Sequence, residues 1–320
     1  MAATAWIMPV LQLLPELMEL FMPLPARVTS LCCAVFLSQS VLAADALPQR
    51  WVSAGGAITE WVVALGGQSK LVGVDTTSLH PSELNKLPSI GYQRQLAAEG
   101  ILSLQPDLLL GSEEMGPPPV LAQVKNAGVT VESLPTKADL PTLEHNLTRI
   151  GALLGDEPRA AKTLADYQQR LQQHAQWVAT AQAGQPRPSV LLLLSHAGSS
   201  PMAAGQDTIG AWLITQAGGR SIVTHSSYKA LSTEALLALD PEVIIFADRS
   251  IAGPEAKAAL LKQNPALAAT RAAKNDRLLA LDPTLLVGGL GPRIPDALAV
   301  LGAAFYPAAQ PLTAHAKPQP

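Results

Sequence analysis

Cysteine is nearly missing from this chain of 320 residues: it has two, Cys32 and Cys33, and both fall within the first fifty positions. Beyond that stretch neither a disulfide framework nor a thiolate metal centre is available. Charge is also scarce, at 15% of residues with a formal net charge of −3, and no long basic run occurs. Nothing electrostatic therefore points to nucleic acid or an anionic membrane surface as partner. Aromatic residues make up only 4%. Nucleophile elbows, phosphate loops and zinc-binding helix motifs are absent too. Ser195 and His196 are neighbours in sequence, so their side chains diverge in an extended strand and make a poor nucleophile–base pair. What the chain has is apolar material, 48% of residues, enough for about two domains with substantial cores.

The first fifty residues form a region apart. Arg27 precedes the apolar run from Val28 to Leu37, and the compact residues Val41 and Ala43 follow. A cation, a short apolar stretch and compact residues predict a secretory signal over 1–43, cleaved near Ala43, with Met22 as an alternative start. The run is too short to span a bilayer comfortably. Thr29 and Ser30 stand where a lipidated cysteine would follow a large aliphatic residue. Export without disulfides fits the periplasm.

Beyond the signal, short apolar runs alternate with helical stretches. Strands are expected at 50–54, 71–75, 108–110, 129–131, 189–194, 222–223, 243–247 and 278–281, several of them apolar throughout, as in sheets covered on both faces. Two segments recur in the same order. Ile58-Thr-Glu-Trp61 before Gly66-Gly67 pairs with Ile209-Gly-Ala-Trp212 before Gly218-Gly219. Leu96-Ala-Ala-Glu99 before Pro106 pairs with Leu231-Ser-Thr-Glu234 before Pro241, seven residues from Glu to Pro in each copy. Between the halves, Asp156, Glu157 and Pro158 open a helix that Gly184 and Pro186 close. Leu164, Tyr167, Leu171, His174 and Val178 give it a one-sided apolar stripe. About 26 residues at ~1.5 Å each give roughly 39 Å, the length of a strut between lobes. The expected organisation is an α/β lobe at 48–154, a linking helix at 155–184, an α/β lobe at 187–306 and a disordered tail at 307–320.

The segment Gly91-Tyr-Gln-Arg-Gln-Leu-Ala-Ala-Glu-Gly100 puts Tyr92 and Arg94 in a loop at the strand ends, where open α/β sheets place ligands. A tyrosinate beside a guanidinium can ligate ferric iron; a surface tyrosine closing a loop has the same spacing. The run from Gly91 to Leu110, with Gly73-Val-Asp-Thr-Thr77, Gly116-Pro-Pro118 and Gly291-Pro-Arg293, resembles the periplasmic haem-binding proteins of ABC-type haem importers, over nearly all of residues 50–306. These belong to the superfamily of helical-backbone metal, siderophore and cobalamin binders.

The resemblance implies two Rossmann-like lobes with parallel sheets joined by one long helix, the class III binding-protein architecture. It implies ferric haem b as transported ligand, Tyr92 as axial ligand to its iron and Arg94 as hydrogen-bond donor to the phenolate. Glu99 and Glu234 would dock on an ABC permease dimer with its ATPase, an outer-membrane haem receptor would act upstream, and the protein would be a periplasmic monomer with no enzymatic activity. Both glutamates fit plain solvated helix faces as well. His196 is placed to support a second, stacked haem or simply to hydrogen-bond in its loop. His80, Tyr228, Lys229 and Arg293 are candidates for haem edge or propionate contacts. His174 is expected in the core, and His145, His225 and His315 at the surface. The alternatives are the same fold binding cobalamin or a ferric siderophore, a haem-processing or hydrolytic enzyme, and an adhesion module. The scarcity of aromatics, the lack of an acid–base constellation and the Tyr92-x-Arg94 pair weigh against these in turn.

Overall fold

The computed structural model describes residues 47–195, 201–248, 255–310 and 312. The expected signal with both cysteines, His196, His315 and nearly all the segment after 310 lie outside them. No helix among the described residues is long and apolar enough to cross a membrane.

The N-terminal lobe opens with β1 (Trp51–Ala54), α1 (Gly56–Ala64) and β2 (Leu71–Val74). It continues with the short α2 (Ala98–Leu102), β3 (Leu108–Ser112), α3 (Pro118–Asn126) and β4 (Thr130–Leu134). The four strands run parallel in the order β2-β1-β3-β4. Every residue of β1 and β3 is buried, which explains their unbroken apolar character between helical layers.

Two helices follow, and the second crosses to the C-terminal lobe. α4 (Leu140–Leu154) is capped by the Asp139 carboxylate, which accepts from the Thr142 amide at 2.9 Å, and ends on left-handed Gly155. α5 (Glu157–Ala181) is 25 residues long and starts at Asp156, whose carboxylate accepts from the Arg159 amide. Tyr167 on α5 meets Trp61 edge-on with ring centroids 5.5 Å apart, while Trp177 further along meets Tyr306 in the same manner at 6.4 Å. The same helix thus packs on both lobes. His174 is buried in its stripe, and desolvation lowers its pKa.

The C-terminal lobe contains β5 (Ser189–Leu194), β6 (Met202–Ala204), α6 (Ile209–Gln216), β7 (Arg220–Ser221) and β8 (Tyr228–Ala230). α7 (Thr233–Leu239), β9 (Val243–Ala247), α8 (Ala256–Gln263), α9 (Arg271–Lys274), β10 (Leu278–Ala280) and α10 (Ile294–Phe305) complete it. β9 lies between β5 and β10, all parallel, and β7 pairs with the start of β5. The order β7-β5-β9-β10 thus repeats β2-β1-β3-β4. The short strand expected at 222–223 falls instead at Arg220–Ser221, two residues earlier, where its backbone can pair with Ser189 and Val190. The second copy adds what the first lacks: antiparallel β6 pairs with the far end of β5, and β8 with β6. One apolar core runs through both lobes, from Trp51 and Ile58 to Phe305 and Tyr306.

Candidate interlobe binding cleft

A cleft of about 890 Å³ opens between the lobes, within the size range of small-molecule and cofactor sites. Its N-terminal wall consists of residues that follow strand ends: Thr77 after β2, Glu113 and Glu114 after β3, Thr136 and Lys137 after β4. Parallel sheets put such positions at one edge, so the topology itself assembles the wall. Leu194, Met202, Tyr228 and the segment from Leu286 to Gly289 face it from the C-terminal lobe.

Beneath this wall lies a buried polar knot. The Asp75 carboxylate accepts from the Gly55 and Thr77 amides, both at 3.0 Å, and from the Thr77 and Ser78 hydroxyls at 2.7 and 2.6 Å. It ties the turn after β1 to the turn after β2. Gly55 has φ +108, and a Cβ there would meet the Gln93 side-chain oxygen at 2.9 Å, so only glycine allows this approach.

Gln93 is the anchor of the Tyr-x-Arg loop. It is buried, accepts from the Ser112 hydroxyl at 3.0 Å and donates to Glu114 Oε2 at 3.2 Å. The Gly116 amide donates to its carbonyl, and the Leu96 amide to the Gly116 carbonyl, both at 2.8 Å. The short 3-10 turn Gln93–Gln95 is therefore stitched to the segment after β3, and Tyr92 and Arg94 on either side of Gln93 project into the cleft.

Tyr92 is 42% exposed, on the open side. Arg94 does not donate to the Tyr92 phenol; its Nη2 donates to Glu114 Oε1 at 2.6 Å, and the pair raises the guanidinium pKa further. Where the resemblance implies a bond to the phenol, the guanidinium thus pairs with a carboxylate, a charge-assisted partner.

Tyr228 lines the opposite wall but differs in character. Burial pushes its phenol up to about 12, with a smaller contribution in the same direction from the Glu114 charge, and the buried phenol oxygen has no hydrogen-bond partner among the described residues. It will stay protonated at neutral pH. Lys229, the next residue of β8, is exposed and projects to the other face of the strand, away from the cleft. Arg293 is also committed elsewhere. Its Nε and Nη2 grip both oxygens of buried Glu60 at 2.8 and 2.6 Å, and its Nη1 pairs with Asp282 at 2.7 Å. The imidazole of His80 faces the same Asp282 at 2.8 Å. Neither Arg293 nor His80 lines the cleft; both belong to a cluster joining the lobes. Glu99 and Glu234 are exposed in the first turns of α2 and α7, equivalent helices of the two lobes.

Reading the sequence alone missed Glu114, Gln93 and Lys137. An adjacent acidic pair and a lysine before a helix cap carry no distinctive spacing; only the register of β3 and β4 brings them beside the loop at 92–94. Lys137 pairs with Asp139 at 2.7 Å yet is 80% exposed, and the Thr136 amide and hydroxyl beside it are fixed by Glu113 at 2.9 and 2.8 Å. Among the described residues no group of three or more His, Cys, Asp or Glu is arranged to hold a metal ion.

The periplasmic binding protein family model matches residues 52–285. The chain belongs to that family. A crystal structure of a periplasmic haem-binding protein from Pseudomonas aeruginosa is similar at 62% identity with a TM-score of 0.81, covering 83% of this chain and 96% of that one. The periplasmic haem-binding protein HutB of Vibrio cholerae is 35% identical with a TM-score of 0.69, covering 81% and 99%. A cobalamin-binding protein of Halobacterium salinarum is 26% identical over 275 residues, 84% of this chain and 72% of its own length. The architecture of two Rossmann-like lobes on a long helix is thus the family's, and its members are solute-binding proteins.

Proposed function

We propose that this protein captures ferric haem b in the interlobe cleft and hands it to an ABC permease in the periplasm. The observation that carries the reading is Tyr92: an exposed phenol beside a guanidinium, on a loop anchored by buried Gln93, facing a cleft of about 890 Å³. The P. aeruginosa relative supports it through its described ligand and 62% identity. A single oxygen donor suits this cargo, because the porphyrin already supplies the four equatorial ligands and leaves only axial positions open.

Tyr92 is the ligand rather than Tyr228. Coordination requires loss of the phenolic proton, and burial makes that costly at Tyr228. With iron bound, the Tyr92 oxygen becomes an anion, and Arg94 two residues on is placed to donate to it. Leu194, Met202, Leu286 and Val287 supply apolar surface for the macrocycle. The two exposed glutamates, one per lobe, match a partner with two-fold symmetry such as a permease dimer with its ATPase. The proposed segment 1–43 delivers the chain to the periplasm.

Hemin added to the purified protein gives a Soret band and a phenolate-to-iron charge-transfer band, and Tyr92→Phe removes the latter and weakens binding at least tenfold. An unchanged spectrum in Tyr92→Phe would exclude the ligand assignment. The likeness to the cobalamin binder is tested in the same titration: cyanocobalamin binding with no hemin binding would replace haem as cargo.

A further inference from the structure

The cleft contains a carboxylate where the haem reading calls for none. Glu114 follows β3 and lies on the Arg94 guanidinium at 2.6 Å, with its second oxygen taking the Gln93 amide at 3.2 Å. It is about one-third exposed and lines the cleft, so its charge is only partly screened by solvent. Its field reaches the opposite wall, where it disfavours ionisation of Tyr228. A neutral glutamine has the same shape and keeps one acceptor oxygen for Arg94, giving up only the acceptor that meets the Gln93 amide. A fixed anion here instead opposes every anionic feature of the cargo, both the tyrosine oxygen on iron and the carboxylates of a tetrapyrrole.

We propose that Glu114 is a built-in competitor that weakens haem binding: it shares Arg94 with the iron-bound Tyr92 oxygen and repels the anionic cargo, so that haem can be surrendered. A transport protein gains from such a residue, because delivery requires release and the permease can shift the balance only by the affinity difference between its own site and this one. When haem enters, Arg94 turns part of its donor fork from Glu114 to the Tyr92 oxygen, and Glu114 is left with a weakened partner. When haem leaves, the short Arg94–Glu114 bond re-forms and offsets part of the cost of breaking the iron–oxygen bond. Glu114 is thus a positioning residue, acting through Arg94 and through its charge.

This inference rests on Tyr92 as iron ligand, and the experiment separates the two. Haem release from the processed protein to excess apomyoglobin is followed by stopped-flow absorbance for the parent, Glu114→Gln, Glu114→Ala, Tyr92→Phe and the exposed-charge control Glu144→Gln. Glu114→Gln is expected to release haem about threefold to tenfold more slowly and to keep the charge-transfer band, with Glu144→Gln unchanged. A merely structural role predicts faster release, so the sign alone discriminates. Equal or faster release from both Glu114 variants, with the band still dependent on Tyr92, overturns the competitor and leaves the iron ligand standing. A band indifferent to Tyr92→Phe overturns the ligand, and the inference with it.

Discussion

Two tyrosines face one cleft, and their surroundings give them opposite roles. Tyr228 is desolvated and pushed up to about 12, so it offers a neutral hydroxyl and an apolar ring edge. Tyr92 stands in the open beside a cation. The Tyr92-x-Arg94 pair was legible in the sequence because both residues sit on one short loop. Arg94's actual partner was not legible, because Glu114 arrives from 20 residues away through the pairing of β3 with β1. Arg293, a candidate for propionate contact in the sequence, has its fork on Glu60, 233 residues distant, which the sequence does not show either. Lys137 takes its place as a cation at the cleft, presented by a loop that Glu113 fixes. Lys137→Ala should weaken hemin about threefold, the scale of an exposed ion pair. Titration with haem dimethyl ester, which lacks the carboxylates, should show no difference between parent and variant. Equal losses for both ligands would mean that Lys137 acts by packing.

At the scale of elements, the repeat noticed in the sequence is a repeat of sheet order. α1 and α6, α2 and α7, β3 and β9 occupy matching places in β2-β1-β3-β4 and β7-β5-β9-β10. The matching Glu-to-Pro spacing reflects a short helix whose carboxyl end must drop into a buried strand. What the pattern hid was the departure from symmetry. β6 and β8 are three residues each, too short to show an alternation, and they carry Tyr228 to the cleft only in the second lobe. The symmetric parts face outward instead, with Glu99 and Glu234 each in the first turn of its helix. Negative charge is favourable at a helix N-terminus, and hydrogen bonds from its own backbone amide and from the Ser232 hydroxyl lower the Glu234 pKa. Replacing both with arginine should abolish stimulation of the reconstituted transporter's ATPase while leaving the hemin titration unchanged. Retained stimulation would place the docking surface elsewhere.

Among the described residues the two lobes are joined at two places, and this bears on how far they can move. One is α5, which packs Tyr167 against Trp61 in the first lobe and Trp177 against Tyr306 in the second. The other lies beside the cleft: the Trp61 indole donates to the Leu290 carbonyl at 2.7 Å, and Arg293 clasps Glu60 while Asp282 meets His80. Two separate attachments between the lobes permit small rotations and oppose wide opening, which favours a preformed pocket. Arg293→Ala leaves Glu60 buried without its partner and should cost about 3 kcal/mol in denaturant unfolding. The double variant Glu60→Gln with Arg293→Met should lose clearly less, because no buried charge is stranded. Burial opposes ionisation of Asp282, yet bonds from Thr284 and Arg293 outweigh it and hold its carboxyl below the usual range. That contribution to stability is complete above the unfolded-state value of about 3.9 and is lost as pH falls through the lower folded value. Urea unfolding between pH 7 and pH 3 should therefore show stability falling at the acid end in the parent, and falling less steeply in Arg293→Ala. If the two acid slopes coincide, the pair at Asp282 adds nothing to the join between the lobes, and the attachment beside the cleft rests on Trp61 with Leu290 and Arg293 with Glu60.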